Sequence, residues 1–210
     1  AIKHASKPNI DKLMATYPMT SIEPGGLLVG LPKGVPGNSE VGHMNLGAGR
    51  IVWQDLLLIQ KSIESGEFFK NRALIEAFEY AQKNNKPVHF IGLVSDGGIH
   101  SHVDHLKALV KMANDHQVNE SYIHAFTDGR DTDPRSGLNF LNDVQNYIQK
   151  YPTKIASICG IYFAMDRDKR WERVKKAYDL LVHAKGEKFD DVHKAMESSY
   201  ANGKTDEFIE

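Results

Sequence analysis

From Gln54 onward, the hydrophobic positions of the chain alternate between helical spacing and short apolar runs. Apolar residues at positions 103, 106, 109, 110 and 113 keep the period of a helix, whereas the run 88–94 is typical of a buried strand. Helices are predicted at 54–64, 71–84, 103–116, 135–150, 170–183 and 190–202, and strands at 88–94, 121–126 and 154–159. This alternation with short connections predicts an α/β fold, a mainly parallel sheet with helices on both faces.

The first fifty residues are less regular. A helix is predicted from Asn9 to Ala15, with Asn9 as its N-cap and Pro18 closing the turn, and residues 20–23 are a candidate strand. Residues 24–50 are predicted to form a long glycine-rich loop, which is unusual enough in a compact domain to indicate function. Ser39 stands in this segment between Gly37 and Gly42, where a side chain could be presented for chemistry. A surface loop that happens to contain a serine is the alternative.

Polar clusters follow each of the three predicted strands. They are residues 95–100, 127–131 and 161–170. Because ligands bind beyond the carboxyl ends of parallel strands, these clusters are expected to lie at one edge of the sheet and to form one site.

Composition excludes several classes of protein. The 210 residues carry 26 Lys and Arg against 27 Asp and Glu, a net charge of −1, so no global basic field points to nucleic acid. The single cysteine, Cys159, excludes an internal disulfide and a multi-cysteine zinc site, and its apolar neighbours predict a buried thiol. No apolar run reaches the length of a membrane span and no signal peptide opens the chain, so a cytoplasmic protein is expected.

Each polar cluster has a chemical and a structural interpretation. The histidines at 100, 102 and 105, with Asp96 and Asp104, could suggest a metal site, but hydrogen bonding around the first turn of a helix is favoured. Residues 128–133 superficially resemble a calcium loop, yet they lack the glycine and the distal glutamate that such a loop needs. The alternatives there are an acidic turn capping the next helix, or Arg130 binding an oxyanion while Asp131 accepts from hydroxyl groups. Residues 166–170 could be a solvated charged turn.

Four segments, in order along the chain, closely resemble the cofactor-independent phosphoglycerate mutases. They are GNSEVGHMNLGAGRIVWQDL at 37–56, VSDGGIHSHVDHL at 94–106, HAFTDGRDTDPRSG at 124–137 and YFAMDRDKRWERVKKAYDLLV at 162–182. The resemblance implies an enzyme that interconverts 3-phosphoglycerate and 2-phosphoglycerate through a phosphoserine, without a bisphosphoglycerate cofactor, in glycolysis and gluconeogenesis. It implies Ser39 as nucleophile and metal ligand, with two Mn²⁺ ions, or other divalent ions, in the full-length enzyme. Substrate contacts are implied for His100, Arg130, Asp131 and Arg167.

The resemblance also implies a particular organisation. Residues 1–53 would be part of a metal-binding, alkaline-phosphatase-like domain, and 54–210 an inserted substrate-binding transferase domain. The remaining metal ligands would lie outside this chain, so the 210 residues are expected to be an internal segment of a longer enzyme and inactive alone. A monomer acting on a small molecule, with no nucleic acid or membrane partner, is expected.

One position departs from the family pattern. Ile161 stands where the family has an arginine, and isoleucine cannot bond a carboxylate or a phosphate. Losing such a charge-assisted contact typically costs about 1.5–3 kcal/mol, unless a neighbour such as Lys169 compensates. Two alternatives stay open. One is a metal-dependent phosphatase or other phosphomutase of the same superfamily. The other, because Ile161 replaces an arginine and the remaining metal ligands are expected outside this chain, is a phosphoglycerate-binding domain that has lost catalysis.

Overall fold

The structure is a computed structural model that describes residues 4–210. The chain divides into two compact units, here called the first unit, up to Gln54, and the second unit, Asp55–Glu210. The assignment of residues 1–53 and 54–210 to two domains of a larger enzyme remains a prediction.

The first unit contains helix α1 (Pro8–Thr16), a 3₁₀ helix (Gly26–Val29) and helix α2 (Ser39–Ala48). The predicted N-cap at Asn9 is wrong, because Pro8 occupies the first helical turn and Lys7 precedes it. Proline suits that position, since its fixed φ is helical and its missing N–H would have no partner there. The predicted strand at 20–23 is also wrong, since these residues form neither helix nor strand.

Helix α2 corrects the prediction of a continuous loop over residues 24–50. The Asn38 side chain caps the helix by accepting from the Val41 backbone N–H at 3.0 Å. Gly49 ends it in the left-handed conformation, with φ 63°. The two glycines inside the helix each cost about 0.5–1 kcal/mol relative to alanine, and the cap offsets a comparable amount. Ser39 is therefore the first residue of a helix and not the tip of a loop.

Asn45 fastens α2 to the rest of the first unit. The side-chain NH₂ group of Asn45 donates to the Val29 carbonyl at 2.9 Å, and its side-chain oxygen accepts from the Val52 N–H at 2.6 Å. Gly30, with φ 83°, lies so close to Val52 that a Cβ would come within 2.0 Å of the Val52 carbonyl oxygen. Only glycine fits there.

The second unit confirms the predicted α/β fold. Its helices are α3 (Asp55–Ser65), α4 (Arg72–Lys83), α5 (Val103–Asp115), α6 (Gly137–Ile148), α7 (Ile161–Ala164), α8 (Trp171–His183) and α9 (Val192–Ala201), with 3₁₀ helices at Glu67–Lys70 and Asp206–Phe208. Its strands are β1 (Val88–Leu93), β2 (Ser121–Thr127) and β3 (Thr153–Gly160). The predicted elements are confirmed to within about two residues at each end, while α7 and the 3₁₀ helices were not predicted.

The three strands form a parallel sheet in the order β1-β2-β3. Val88 is paired with Ser121 and Ser121 with Thr153, and the register between β2 and β3 shifts between Ile123 and His124. Helices pack on both faces, as predicted. The larger hydrophobic cluster includes Phe90 and Ile123. The smaller cluster contains apolar residues from the carboxyl ends of the strands, on the opposite face of the sheet. None of the helices within residues 4–210 is long and apolar enough to cross a membrane.

Candidate functional site

Ser39 is exposed at the first position of α2. The first N–H groups of a helix lack intrahelical partners and carry the positive end of the helix dipole, so this position favours a negatively charged oxygen. The Asn38 cap uses one of these N–H groups, that of Val41. The local structure can therefore stabilise an alkoxide or a phosphate on the serine.

His43 lies one turn after Ser39 and contacts it twice. Its Nδ1 is 2.7 Å from the Ser39 carbonyl oxygen and 3.3 Å from the Ser39 hydroxyl oxygen. A carbonyl oxygen can only accept, so Nδ1 carries the proton and donates. With its proton committed in this way, Nδ1 is not a base for the serine hydroxyl.

The loops after β1 and β2 are joined by Asp128. One carboxylate oxygen accepts from the Ser95 hydroxyl at 2.7 Å, and the other accepts from the backbone N–H groups of Arg130 at 3.1 Å and Asp131 at 2.9 Å. Asp128 and Ser95 are both buried. Gly97 packs so tightly here that a Cβ would come within 3.3 Å of Asp128. The two predicted clusters are thus one connected structure that fixes the backbone of Arg130 and Asp131.

A distant segment, residues 206–207, lies against the carboxyl ends of β2 and β3. The Thr127 hydroxyl donates to the Asp206 carbonyl at 2.7 Å, and a Cβ on Gly160 would come within 2.2 Å of the Glu207 carbonyl oxygen. The Arg130 guanidinium donates to Glu207 Oε1 from Nε at 3.1 Å and from Nη2 at 2.7 Å. Residues that are remote in sequence therefore complete this edge of the sheet.

Asp206 is a buried carboxylate at the start of α6. It accepts from the Gly137 N–H at 2.7 Å and from the Tyr200 hydroxyl. Burial raises the pKa of Asp206 above its ordinary value, although these two hydrogen bonds act in the opposite direction. Asp133 does not cap α6 as the acidic-turn interpretation had it. It accepts from the Arg135 N–H within the preceding turn, and Asp206 occupies the N-terminus of the helix.

The Arg167 loop is held by its neighbour Asp166. The Asp166 side chain is 1% exposed and accepts from the backbone N–H groups of Asp168 at 3.2 Å and Arg170 at 2.9 Å. Arg173 pairs with the same carboxylate at 3.4 Å. Arg167 itself is exposed. This turn is therefore an ordered loop, and Asp166 is its organising residue.

The histidines after β1 have different surroundings. His100 is exposed, whereas His102 precedes α5 and its Nδ1 accepts from the Asp104 N–H at 3.2 Å. Burial lowers the pKa of His105, and the nearby His102 lowers it further. Within residues 4–210, no three His, Cys, Asp or Glu side chains are placed to share a metal ion.

Ile161 is buried at the start of α7. It is 1% exposed and packs in the smaller cluster with Leu93, Phe126 and Cys159. Burial also raises the pKa of the Cys159 thiol to about 11. The position where the resemblance expects an arginine thus contributes an apolar side chain to the core, and no cation to the strand ends.

The predicted substrate residues follow successive strands at one edge of the sheet. Arg130 and Asp131 are connected through Asp128 to the loop after β1, while His100 and Arg167 stand on the loops on either side. Sequence reasoning missed Glu207 and the roles of Ser95, Asp128 and Asp206. Asp128 stands at a strand end and could have been found, but no local signal marks Glu207, which lies 77 residues from Arg130.

These features define a class, namely α/β proteins that gather polar and cationic side chains at the carboxyl edge of a parallel sheet. Residues 59–210 match the family described as BPG-independent PGAM N-terminus (iPGM_N). The chain belongs to this family.

Individual relatives agree. The chain is 52% identical over 210 residues to a 2,3-bisphosphoglycerate-independent phosphoglycerate mutase of Flavobacterium psychrophilum, covering 100% of this chain and 42% of that protein. It is 54% identical to the enzyme of the same name in Clostridium kluyveri, covering 100% of this chain and 41% of that protein. The crystal structure of Leishmania mexicana phosphoglycerate mutase at low cobalt concentration matches with a TM-score of 0.81 and 31% identity, over 99% of this chain and 40% of that one. The chain thus spans less than half the length of these relatives.

Proposed function

We propose that the full-length protein carrying this chain interconverts 3-phosphoglycerate and 2-phosphoglycerate through a phosphoserine on Ser39, without a bisphosphoglycerate cofactor. The observation that carries the proposal is the identity above 50% over all 210 residues to mutases of that name. The exposed position of Ser39 at a helix N-terminus supports it, because that position stabilises the charge of a phosphorylated serine.

Ser39 forms the covalent intermediate. Its oxygen attacks the phosphorus of 3-phosphoglycerate, the bond from phosphorus to the substrate oxygen breaks, and glycerate leaves. The phosphoryl group then passes from Ser39 to the 2-hydroxyl of the same glycerate. Since His43 Nδ1 is committed to the Ser39 carbonyl, the proton of Ser39 leaves to another group.

The second unit holds the glycerate between the two transfers. Arg130 and Arg167 donate charge-assisted hydrogen bonds to its carboxylate or phosphate, and His100 donates to an oxygen of the same groups. Asp131 accepts from the hydroxyl groups. The Asp128 carboxylate fixes the backbone N–H groups of both Arg130 and Asp131, so this pair is preorganised.

Ser39 fits the role of a metal ligand, since its side chain is exposed and its hydroxyl oxygen is a type of ligand that Mn²⁺ binds. With two Mn²⁺ or other divalent ions bound, the metal supplies charge stabilisation and lowers the pKa of the serine hydroxyl. The other ligands are proposed to lie outside this chain, in the alkaline-phosphatase-like domain to which residues 1–53 contribute. Residues 54–210 are proposed to be the substrate-binding transferase domain.

The test uses the full-length enzyme loaded with Mn²⁺, in the absence of 2,3-bisphosphoglycerate. We expect conversion of 3-phosphoglycerate to 2-phosphoglycerate, and loss of it in Ser39→Ala. Mass spectrometry of the acid-quenched enzyme should find one phosphoryl group on the peptide that contains Ser39. Release of inorganic phosphate in place of 2-phosphoglycerate would instead identify a phosphatase.

Ile161 favours a second candidate, a phosphoglycerate-binding protein that has lost catalysis. The buried isoleucine removes one cation from the expected set. Substrate binding by the folded, metal-loaded enzyme without any phosphoserine would support this candidate, and turnover would exclude it.

Three further expectations accompany the proposal. The isolated 210-residue chain is inactive, because it carries a single proposed metal ligand. The full-length protein is a cytoplasmic monomer, and its partner is the small-molecule substrate rather than nucleic acid or a membrane. Turnover by the isolated chain, or a dimer mass in light scattering of the full-length protein, would contradict the corresponding expectation.

A further inference from the structure

We propose that Glu207 is a positioning residue that orients Arg130 for the substrate. The inference rests on the proposed function, since it assumes that Arg130 binds phosphoglycerate. It assigns a role to a residue outside the four segments that resemble the mutases, and that residue reaches the strand ends from the 3₁₀ helix Asp206–Phe208.

The contact leaves one edge of the guanidinium available. Glu207 Oε1 accepts from Nε at 3.1 Å and from Nη2 at 2.7 Å, so the carboxylate takes the side edge of Arg130. Nη1 and the second N–H of Nη2 form the end edge, whose fork matches the oxygens of a carboxylate or phosphate. An acidic residue that competed with the substrate would be expected on that end edge. The observed geometry is that of a support.

Glu207 is itself held in place by its neighbours. The backbone of Asp206 accepts from the Thr127 hydroxyl at 2.7 Å and donates to the Pro134 carbonyl at 2.9 Å. The Gly160 N–H donates to the Ile209 carbonyl at 2.7 Å on the other side of Glu207. The Glu207 side chain is only 21% exposed, whereas that of Arg130 is 41% exposed. A more buried carboxylate, on a backbone held on both sides, therefore restricts a more exposed arginine.

The restriction matters because a long arginine side chain loses rotamer freedom when it binds a ligand. A side chain that is already oriented loses less, and the substrate binds more tightly. A surface ion pair contributes little to stability on its own. The effect of Glu207 is thus expected on substrate affinity and not on folding.

The first experiment compares Glu207→Ala and Glu207→Gln in the full-length, Mn²⁺-loaded enzyme. Glu207→Ala should raise KM for 3-phosphoglycerate by about tenfold, as expected for the loss of one oriented contact. Glu207→Gln should keep KM at or below the wild-type value, because its amide oxygen still accepts from Nε and Nη2. The matched control is Glu120→Ala, which removes the exposed pair of Glu120 with Lys154 beyond the opposite end of β2. It should leave KM unchanged. A lower KM in Glu207→Ala would mean that Glu207 competes with the substrate, and would overturn the proposal.

The second experiment separates positioning from a structural role. Arg130→Ala should raise KM, and adding Glu207→Ala to Arg130→Ala should raise it no further. If Glu207→Ala raises KM by the same factor in the Arg130→Ala enzyme as in the wild type, Glu207 acts without Arg130. That result would overturn the inference but leave the proposed function standing. An Arg130→Ala enzyme with wild-type KM would instead refute the substrate role of Arg130. Thermal unfolding of each variant identifies any that misfold. If Glu207→Ala misfolds, Glu207→Gln can still be compared with the wild-type enzyme.

Discussion

The first unit leaves large apolar side chains exposed, whereas the second unit buries its own around a sheet. Ile22 is 83% and Leu46 is 82% exposed in the first unit, while Leu141 and Met196 are each 0% exposed in the second. The first unit takes its shape mainly from polar and backbone contacts, such as those of Asn38 and Asn45. The proposed nucleophile thus belongs to the weakly packed unit, and the proposed substrate residues belong to the well-packed one.

Replacing a leucine by alanine should produce the largest difference between the two units in the free energy of unfolding. Leu141→Ala in α6 should destabilise the 210-residue chain by about 2–5 kcal/mol, because it leaves a cavity in a buried cluster. Leu46→Ala should change stability by no more than about 0.5 kcal/mol, since its side chain is exposed. Denaturant unfolding followed by circular dichroism measures both. Equal losses would mean that the first unit has a core of its own.

A buried thiol in the second unit and an exposed thiol in the first unit should differ about 100-fold in reactivity. Burial raises the pKa of Cys159 from 9.0 to about 11, so at pH 8 its thiolate fraction is about 100-fold lower than that of an ordinary thiol. Leu46→Cys adds an exposed thiol to the first unit for comparison. Mass spectrometry after a short pulse of reagent at pH 8 should find the introduced thiol labelled and Cys159 protected. The raised pKa also means that the stability contributed by the protonated Cys159 thiol is complete below pH 9.0 and is lost as the pH rises through about 11.

Two glycine substitutions should act in opposite directions. Gly160→Ala places a Cβ within 2.2 Å of a backbone oxygen, and the forced shift should cost about 1–3 kcal/mol. Gly47 lies inside α2, and a Cβ added there would meet no atom within 4 Å, so Gly47→Ala should stabilise that helix by about 0.5–1 kcal/mol. Thermal unfolding reports the first change and amide hydrogen exchange in α2 the second. Faster exchange in Gly47→Ala would contradict the expectation.

The smallest effects concern the two asparagine caps. Asn38 caps α2 at 3.0 Å and Asn71 caps α4 at 3.2 Å, so each alanine substitution should cost about 1 kcal/mol locally. In the second unit, where α4 packs against the core, the lost stability should appear as easier unfolding of the whole unit. In the first, it should appear as fraying of α2 alone. Hydrogen exchange mapped along the chain distinguishes a local opening from a global one.

The same contrast explains which features could be predicted from the sequence. In the second unit, amphipathic periodicity coincides with burial, so positions such as Val103 and Val110 marked α5 correctly. In the first unit, the glycine content of residues 37–49 suggested a loop, because composition does not reveal that Asn38 and Gly49 are the two caps of a helix.

The candidate site was predictable only where it is local in sequence. Arg130 and Asp131 follow directly on a strand, and the edge of a parallel sheet gave their location. Glu207 and Asp206 come to the same edge through contacts made about eighty residues away, which no local pattern records. Ile161 was recognised as a departure, but its burial in a core cluster depends on the packing of α7 and α8.

The position of residues 206–207 has a consequence for how the protein is made. β1, β2 and β3 are neighbours in sequence and in space, so the sheet can assemble strand by strand as the chain leaves the ribosome. Asp206, which closes the edge, is synthesised 79 residues after Thr127, a delay of several seconds at about 5–20 residues per second. A nascent chain therefore has its sheet before Asp206 and Glu207 reach the carboxyl edge of that sheet, and this edge is completed only after translation has passed Glu207.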